Sequence, residues 1–283
     1  SAARGQAMET GRDMWPEWDL KLMTPEQLAQ SYVLETSGDA NKDDVSRAND
    51  WRSSVMQCQA AYNRMPPEER ANWDRAYAPR IAEYERMKGR VSQEELTRWK
   101  YQQYMKDYCA VIKGVDENVG RLLDYLEEIG ELDNTIIVYT SDQGFFLGEH
   151  GWYDKRFMYE ECQRTPLLVR YPKAVAAGVR TKALAMNIYL APTVGDMAGL
   201  EVPADMQGRS LKGVLTSGGK IPEAWRTGVY YHYYEYPSWH SVKRHYGVRT
   251  NDYKLIHFYN DVDEWELYDL KKDPHEMCNV YND

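Results

Sequence analysis

The sequence predicts an α/β fold, in which part of a mostly parallel sheet with flanking helices is followed by a small antiparallel sheet. A long amphipathic helical pattern precedes two short apolar runs. Helix, buried strand, loop and buried strand in succession are typical of a mostly parallel sheet. Beyond Thr193 the pattern changes to short segments separated by tight turns, which favours antiparallel strands. A chain of 283 residues with 43% hydrophobic content can bury a substantial core.

The helical part of the prediction depends on periodicity and on capping residues. Apolar residues recur every three or four positions over 104–126, which marks one face of a long helix, and Gly130 follows as a C-cap. Residues 1–100 are polar and poor in strand-forming runs. Within them, Thr24 and Ser92 each begin a capping-box pattern, which predicts a helix start. We therefore interpret 1–100 as a helical excursion.

The strands are predicted from β-branched and aromatic runs. The run at 135–140 lacks alternation, as expected for a strand that is buried on both faces, and 166–171 is a second such run. We place a domain boundary after residue 215, so that 1–215 belong to the main α/β domain and 216–283 form the antiparallel subdomain. The strands predicted in that subdomain are 228–236, 246–250, 253–259 and 265–270.

Composition and charge limit the classes of partner. A net charge of −9 argues against nucleic acid or an anionic membrane as a partner, because both require a positive surface. No apolar run approaches membrane-spanning length. The 23 Tyr and 9 Trp against 4 Phe suit sugar binding or the packing of rings under long loops. The opening residues 1–5 contain no signal segment, and we interpret them as a cut inside a longer protein.

Candidate chemistry lies in the loop after the first apolar run. Asp142 and Gln143 follow that strand at its carboxyl end, where open α/β sheets bind ligands, and they offer two oxygen ligands for calcium. Gly144 would allow close backbone approach. Lys155 and His150 add a positive charge and a titratable donor for an oxyanion. Taken singly, each residue also fits a structural role, as a turn former, a solvated charge or a packed ring.

The segment from Thr140 to Pro166 resembles the C-terminal signature of the sulfatases in the alkaline-phosphatase superfamily, with SDQG followed by GEHGW and DKR. The resemblance covers about residues 100–283. It implies a formylglycine-dependent sulfuric ester hydrolase with a calcium ion. The other matching segments, in the family order, are 110–123, 191–193 with 199–200, 206–211, 246–256 and 266–279.

The resemblance assigns roles to individual residues. Asp142 and Gln143 match a pair of calcium ligands, Lys155 matches the lysine that contacts the sulfate group, and His150 matches a position close to the site. The formylglycine nucleophile and an N-terminal aspartate pair have no counterpart here, since none of the four cysteines lies in the required motif. We therefore expect half of a metal site, no activity from this chain alone, and a periplasmic or secreted parent protein.

Substrate choice is assigned to the C-terminal region. Aromatic residues and histidines are dense over 230–245, and the pattern is similar to bacterial N-acetylglucosamine-6-sulfatases that act on glycosaminoglycans. A sulfated carbohydrate is the predicted partner, with His240, His245 and Arg249 as candidate contacts. The alternatives are an arylsulfatase, a phosphodiester or phosphonate hydrolase of the same superfamily, or a non-catalytic carbohydrate-binding remnant. An incomplete domain with exposed core residues is also expected to self-associate.

Overall fold

The computed structural model describes residues 60–236, 242–260 and 262–283, with the side chain of Gln93 excepted. By their internal contacts the described residues divide into two compact units, one that ends at Val119 and one formed from Gly120 to Asp283. The capping box predicted at Thr24 and the candidate His240 lie outside the described residues. Within the described part of the chain, no helix has the length and apolar character needed to cross a membrane.

Two long helices form where the sequence predicts helical structure. Helix α1 spans Pro67–Met87 and helix α2 spans Gln93–Glu128. The capping box before α2 is confirmed, because the Ser92 N–H donates to Glu95 Oε2 at 2.9 Å and the Glu95 N–H donates to Ser92 Oγ at 3.2 Å. Gly130 has a φ of 73°, the left-handed conformation expected after a helix C-terminus.

The two apolar runs form β1 (Ile137–Thr140) and β4 (Leu167–Arg170). They pair with each other in antiparallel orientation, so neither has a parallel neighbour among the described residues. The expectation that both runs are buried on both faces is wrong for this chain, since Tyr139 is 44% exposed and Leu168 is 62% exposed. The physical reason is that, among the described residues, each strand has one hydrogen-bonded neighbour, so the pair is not enclosed in a larger sheet.

Several short elements connect these strands to the C-terminal region. Between β1 and β4 the chain forms a small antiparallel hairpin and one helical turn, and two further short helices follow β4. Turns of 3₁₀ helix at 132–134, 149–151 and 187–189 complete the connections. The short elements are β2 (Phe146–Leu147), β3 (Tyr153–Asp154), α3 (Glu160–Gln163), α4 (Leu190–Met197) and α5 (Lys212–Thr216).

The C-terminal antiparallel sheet is confirmed. Its four strands follow chain order, and each pairs antiparallel with the next. The boundary predicted after residue 215 falls at the end of α5, before the sheet begins, and stays a prediction. The strands are β5 (Gly228–Tyr233), β6 (His245–Thr250), β7 (Tyr253–Phe258) and β8 (Glu264–Asp269).

The main core lies between one face of this sheet and the loop that carries the candidate chemistry. The sheet contributes Tyr233, Ile256, Phe258 and Tyr268, all buried. Alternation along a strand places such residues on one face, so the inward positions follow from the register. The loop contributes Phe146, Trp152, Phe157, Met158, Tyr159 and Cys162 to the same cluster. The fold thus anchors the segment between β1 and β4 on the C-terminal sheet.

Candidate active site

Asp142 and Gln143 lie directly beyond β1, as predicted. The Asn187 side-chain amide donates to the backbone oxygen of Asp142 at 2.7 Å, and Ser141 Oγ donates to the backbone oxygen of Gln143 at 2.7 Å. These bonds fix the backbone, while Asp142 itself is exposed to solvent. The two side chains offer hard oxygen donors, which suit calcium. No group of three or more His, Cys, Asp or Glu residues in the described ranges could hold a metal. That the pair supplies part of a calcium site stays a prediction.

Gly144 brings this loop against helix α3. A Cβ atom at Gly144 would lie 1.9 Å from the backbone oxygen of Glu161, and the Gly144 N–H donates to the backbone oxygen of Cys162 at 2.7 Å. The sequence predicted a glycine for close backbone approach. The structure shows that the group approached is the backbone of α3. This contact holds the loop that carries Asp142 and Gln143 against α3.

Lys155 occupies a strained turn. The residues on either side of it, Asp154 and Arg156, have φ values of 72° and 103°. Non-glycine residues in sparsely populated backbone conformations cost on the order of 1–3 kcal/mol each and persist only where surrounding contacts impose them. Lys155 is partly buried, and no described residue forms an ion pair with it. That its ammonium group binds an anion stays a prediction.

His150 lies in the aromatic core rather than at a surface. Its side chain is 1% exposed, its ring stacks on Tyr159 with centroids 4.8 Å apart, and its Nε2 is 3.3 Å from Glu161 Oε2. Neither ring nitrogen has a hydrogen-bond partner among the described residues. Burial raises the pKa of Glu161, but the neighbouring His150 ring and the Glu161 backbone lower it by more, so the net direction is downward. His150 thus packs on Tyr159 and lies beside Glu161 of α3.

The predicted substrate contacts on the C-terminal sheet are engaged within the protein. His245 is fully buried, its ring is stacked with Phe157 and Tyr233, and burial lowers its pKa to about 4. It therefore has a packing role and presents no surface to a sugar in this structure. Arg249 donates to Glu160 through Nε at 3.2 Å and through Nη2 at 3.1 Å. Its guanidinium group is thus held by a carboxylate.

A buried ion cluster at the start of α3 was not predicted. Lys254 Nζ lies 2.9 Å from Glu160 Oε1 and 2.7 Å from Glu276 Oε1, and the side chains of Lys254 and Glu276 are fully buried. Glu276 Oε2 also accepts the backbone N–H of Glu160 at 2.6 Å. Burial alone would raise the pKa of Glu160, but the hydrogen bond from Arg249 and the charge of Lys254 lower it to about 2. The cluster ties α3 to β6, β7 and the C-terminal segment.

The sequence did contain a signal for this cluster. Alternation along β7 places Lys254 on the same face as Ile256 and Phe258, which are core residues. A lysine in register with core positions requires a buried carboxylate, because an unpaired buried charge is very costly. The partners could not be found in the same way, since Glu160 and Glu276 are distant in sequence.

The segment that carries the candidate site residues matches known protein families. The chain matches the sulfatase family over residues 49–200 and the C-terminal region of N-sulphoglucosamine sulphohydrolase over residues 148–283. It is 58% identical to an N-acetylglucosamine-6-O-sulfatase of Bacteroides thetaiotaomicron over 280 residues, which cover 99% of this chain and 46% of that protein.

Solved structures give a similar result. The structure of BT4656 in complex with its substrate D-glucosamine-2-N,6-O-disulfate matches with a TM-score of 0.78 and 58% identity, over 94% of this chain and 49% of that chain. The phosphonate monoester hydrolase of Agrobacterium radiobacter matches with a TM-score of 0.56 and 27% identity, over 65% of this chain and 38% of that chain. The α/β fold class is thereby confirmed, and the chain spans about half the length of the relatives that it matches most extensively.

Proposed function

Because the chain belongs to the sulfatase family, we propose that it is the C-terminal half of an enzyme that hydrolyses 6-O-sulfate esters of N-acetylglucosamine in glycosaminoglycans. The observation that carries this proposal is the 58% identity to an N-acetylglucosamine-6-O-sulfatase across 99% of the chain. The substrate-bound neighbour supports the same class, since its ligand is a glucosamine with a 6-O-sulfate group. The natural partner is then a sulfated carbohydrate, met in the periplasm or outside the cell.

In this proposal the loop after β1 supplies half of the reaction centre. Asp142 and Gln143 would supply part of the ligand set of a calcium ion. When bound, that ion would neutralise negative charge on the sulfuryl group. The ammonium of Lys155 binds a sulfate oxygen and stabilises the charge that develops there. His150 lies in the core beside Glu161 and has no proton-transfer role in this proposal. A formylglycine nucleophile, outside this chain, completes the site.

The test is sulfate release by the complete enzyme that contains this chain, measured by ion chromatography with N-acetylglucosamine-6-sulfate as substrate. Lys155→Ala should lower kcat/KM about 100-fold or more, as expected for the loss of one charge-stabilising donor. Lys220→Ala, at an exposed lysine, is the matched control and should retain full activity. Undiminished release by Lys155→Ala would contradict the role of Lys155, and the isolated chain should release no sulfate above background.

A second candidate is a phosphonate monoester hydrolase, which is favoured by the structural match to the Agrobacterium radiobacter enzyme. The same oxygen donors and lysine could stabilise a phosphoryl group, because both reactions place negative charge on equatorial oxygens. Assay of the complete protein with a phenyl phosphonate monoester separates the two proposals. Faster turnover of the phosphonate would displace the sulfatase proposal, whereas sugar binding without turnover of either ester would favour the carbohydrate-binding remnant.

A further inference from the structure

The turn that carries Lys155 has a backbone that its own sequence does not favour. Asp154 and Arg156 both have positive φ, at 72° and 103°, and neither is a glycine. Aspartate visits the left-handed region more readily than most residues, but a φ of 103° is unusual for an arginine. Such a turn relaxes unless groups elsewhere in the fold hold it.

Two residues outside the turn, Tyr231 and Cys162, form hydrogen bonds with the backbone of Arg156. Tyr231 Oη donates to the backbone oxygen of Arg156 at 2.8 Å, from a position 75 residues away on β5. The Arg156 N–H donates to Cys162 Sγ at 3.1 Å. Sulfur is a weak acceptor, so the phenol supplies the stronger of these two hydrogen bonds. Tyr231 is partly buried against the main core, which fixes its ring.

We infer that Tyr231 is a positioning residue for Lys155: its hydroxyl holds the strained Asp154–Arg156 turn in the conformation that presents the Lys155 ammonium. The inference rests on the proposed function for what Lys155 binds, whereas the hold on the turn is a property of this chain alone. The C-terminal sheet then does more than cover the core, because a hydroxyl on β5 sets the geometry of a reaction-centre residue.

The test uses Tyr231→Phe, which removes the hydroxyl and keeps the ring. Tyr233→Phe is the matched control, since Tyr233 is buried two residues along the same strand and donates to Glu235 at 3.2 Å rather than to the turn. The first readout is limited trypsin digestion of the native chain, with cleavage after Lys155 and Arg156 followed by mass spectrometry. We expect cleavage at these bonds to be about tenfold faster in Tyr231→Phe and unchanged in Tyr233→Phe.

The second readout is trace acetylation of Lys155 relative to the exposed Lys220, measured from pH 7 to 10. We expect the ratio and its pH profile to change in Tyr231→Phe alone. Wild-type cleavage and labelling in Tyr231→Phe would overturn the inference, and so would equal effects of both substitutions, which would indicate general destabilisation. Failure of the proposed function would appear instead as undiminished sulfate release by Lys155→Ala in the complete enzyme, an assay that does not involve Tyr231.

Discussion

At the scale of single residues, charge burial explains how the C-terminal sheet holds α3. Glu160 is the first residue of α3, and its carboxylate faces both Lys254 and Arg249. Two cations against one carboxylate favour its ionised form, and they outweigh the desolvation that comes with burial. Glu276 differs, because burial raises its pKa although Lys254 opposes this effect. Because the raised pKa of Glu276 affects stability only above its unfolded value, the loss of stability in acid below about pH 4.5 should come chiefly through Glu160.

In the folded protein the pKa of Glu160 is lowered to about 2, from an ordinary value of 4.5. A carboxyl group with a depressed pKa stabilises the native state above its unfolded pKa, and this contribution is lost as the pH falls toward the folded value. We therefore expect the free energy of unfolding to fall between about pH 4.5 and pH 2. Glu160→Gln should cost about 1–3 kcal/mol at pH 7 and flatten this dependence.

Urea unfolding of both proteins at several pH values measures this difference. Glu223→Gln is the control, because Glu223 is exposed and forms no ion pair within the described residues. It should leave both the stability and its pH dependence within about 0.5 kcal/mol of the wild type. An equally steep loss of stability in Glu160→Gln between the same pH limits would contradict the assignment.

At the scale of elements, one backbone contact joins the loop after β1 to α3. Gly144 packs on the carbonyl of Glu161, and the same loop carries Asp142 and Gln143. Because α3 begins at Glu160, the ion cluster and the loop act on the same short helix. The position of the candidate metal ligands against α3 therefore depends on the close contact at Gly144.

Gly144→Ala should disrupt this contact, because the new Cβ would lie 1.9 Å from a backbone oxygen that has no freedom to move away. We expect a cost of about 1–3 kcal/mol, as for overpacking at other well-packed sites. Gly120→Ala is the opposite case, since its Cβ would meet nothing within 4 Å on helix α2. It should stabilise the chain by up to about 1 kcal/mol. Thermal unfolding distinguishes the two, and equal shifts would contradict the proposed packing.

What the sequence predicts about these elements depends on how local their causes are. The capping box at Ser92 and the strands of the C-terminal sheet were predicted correctly, because neighbouring residues determine them. The packing of His245 and the pairing of Arg249 with Glu160 were not predicted, because they arise between segments distant in sequence. The resemblance names Asp142 and Lys155 as candidate site residues, which stays a prediction, but it could not show the strained turn, which only the φ values reveal.

At the scale of the whole molecule, exposed apolar surface is the main departure from the predicted fold. The sequence predicts that strands β1 and β4 are fully buried, yet Leu168 is 62% exposed and Val138 is 37% exposed. On α2, Leu122 is 58% exposed although it belongs to the predicted apolar face. Exposed apolar patches of this kind mark interaction surfaces or aggregation sites. A chain with about half the length of its relatives should therefore associate through these surfaces.

We predict that the isolated chain self-associates through the β1–β4 pair, where Tyr139 and Leu168 are cross-strand neighbours. Leu168→Glu should weaken association about tenfold, because a buried unpaired carboxylate opposes it, and should leave folding intact because the position is exposed. Ile221→Glu places the same charge at another exposed apolar residue, 45% exposed, and should have little effect. Sedimentation velocity over a range of concentrations measures both. A wild-type chain that remains monomeric at all concentrations would contradict the prediction, and equal weakening by the two substitutions would assign the effect to net charge instead of to this surface.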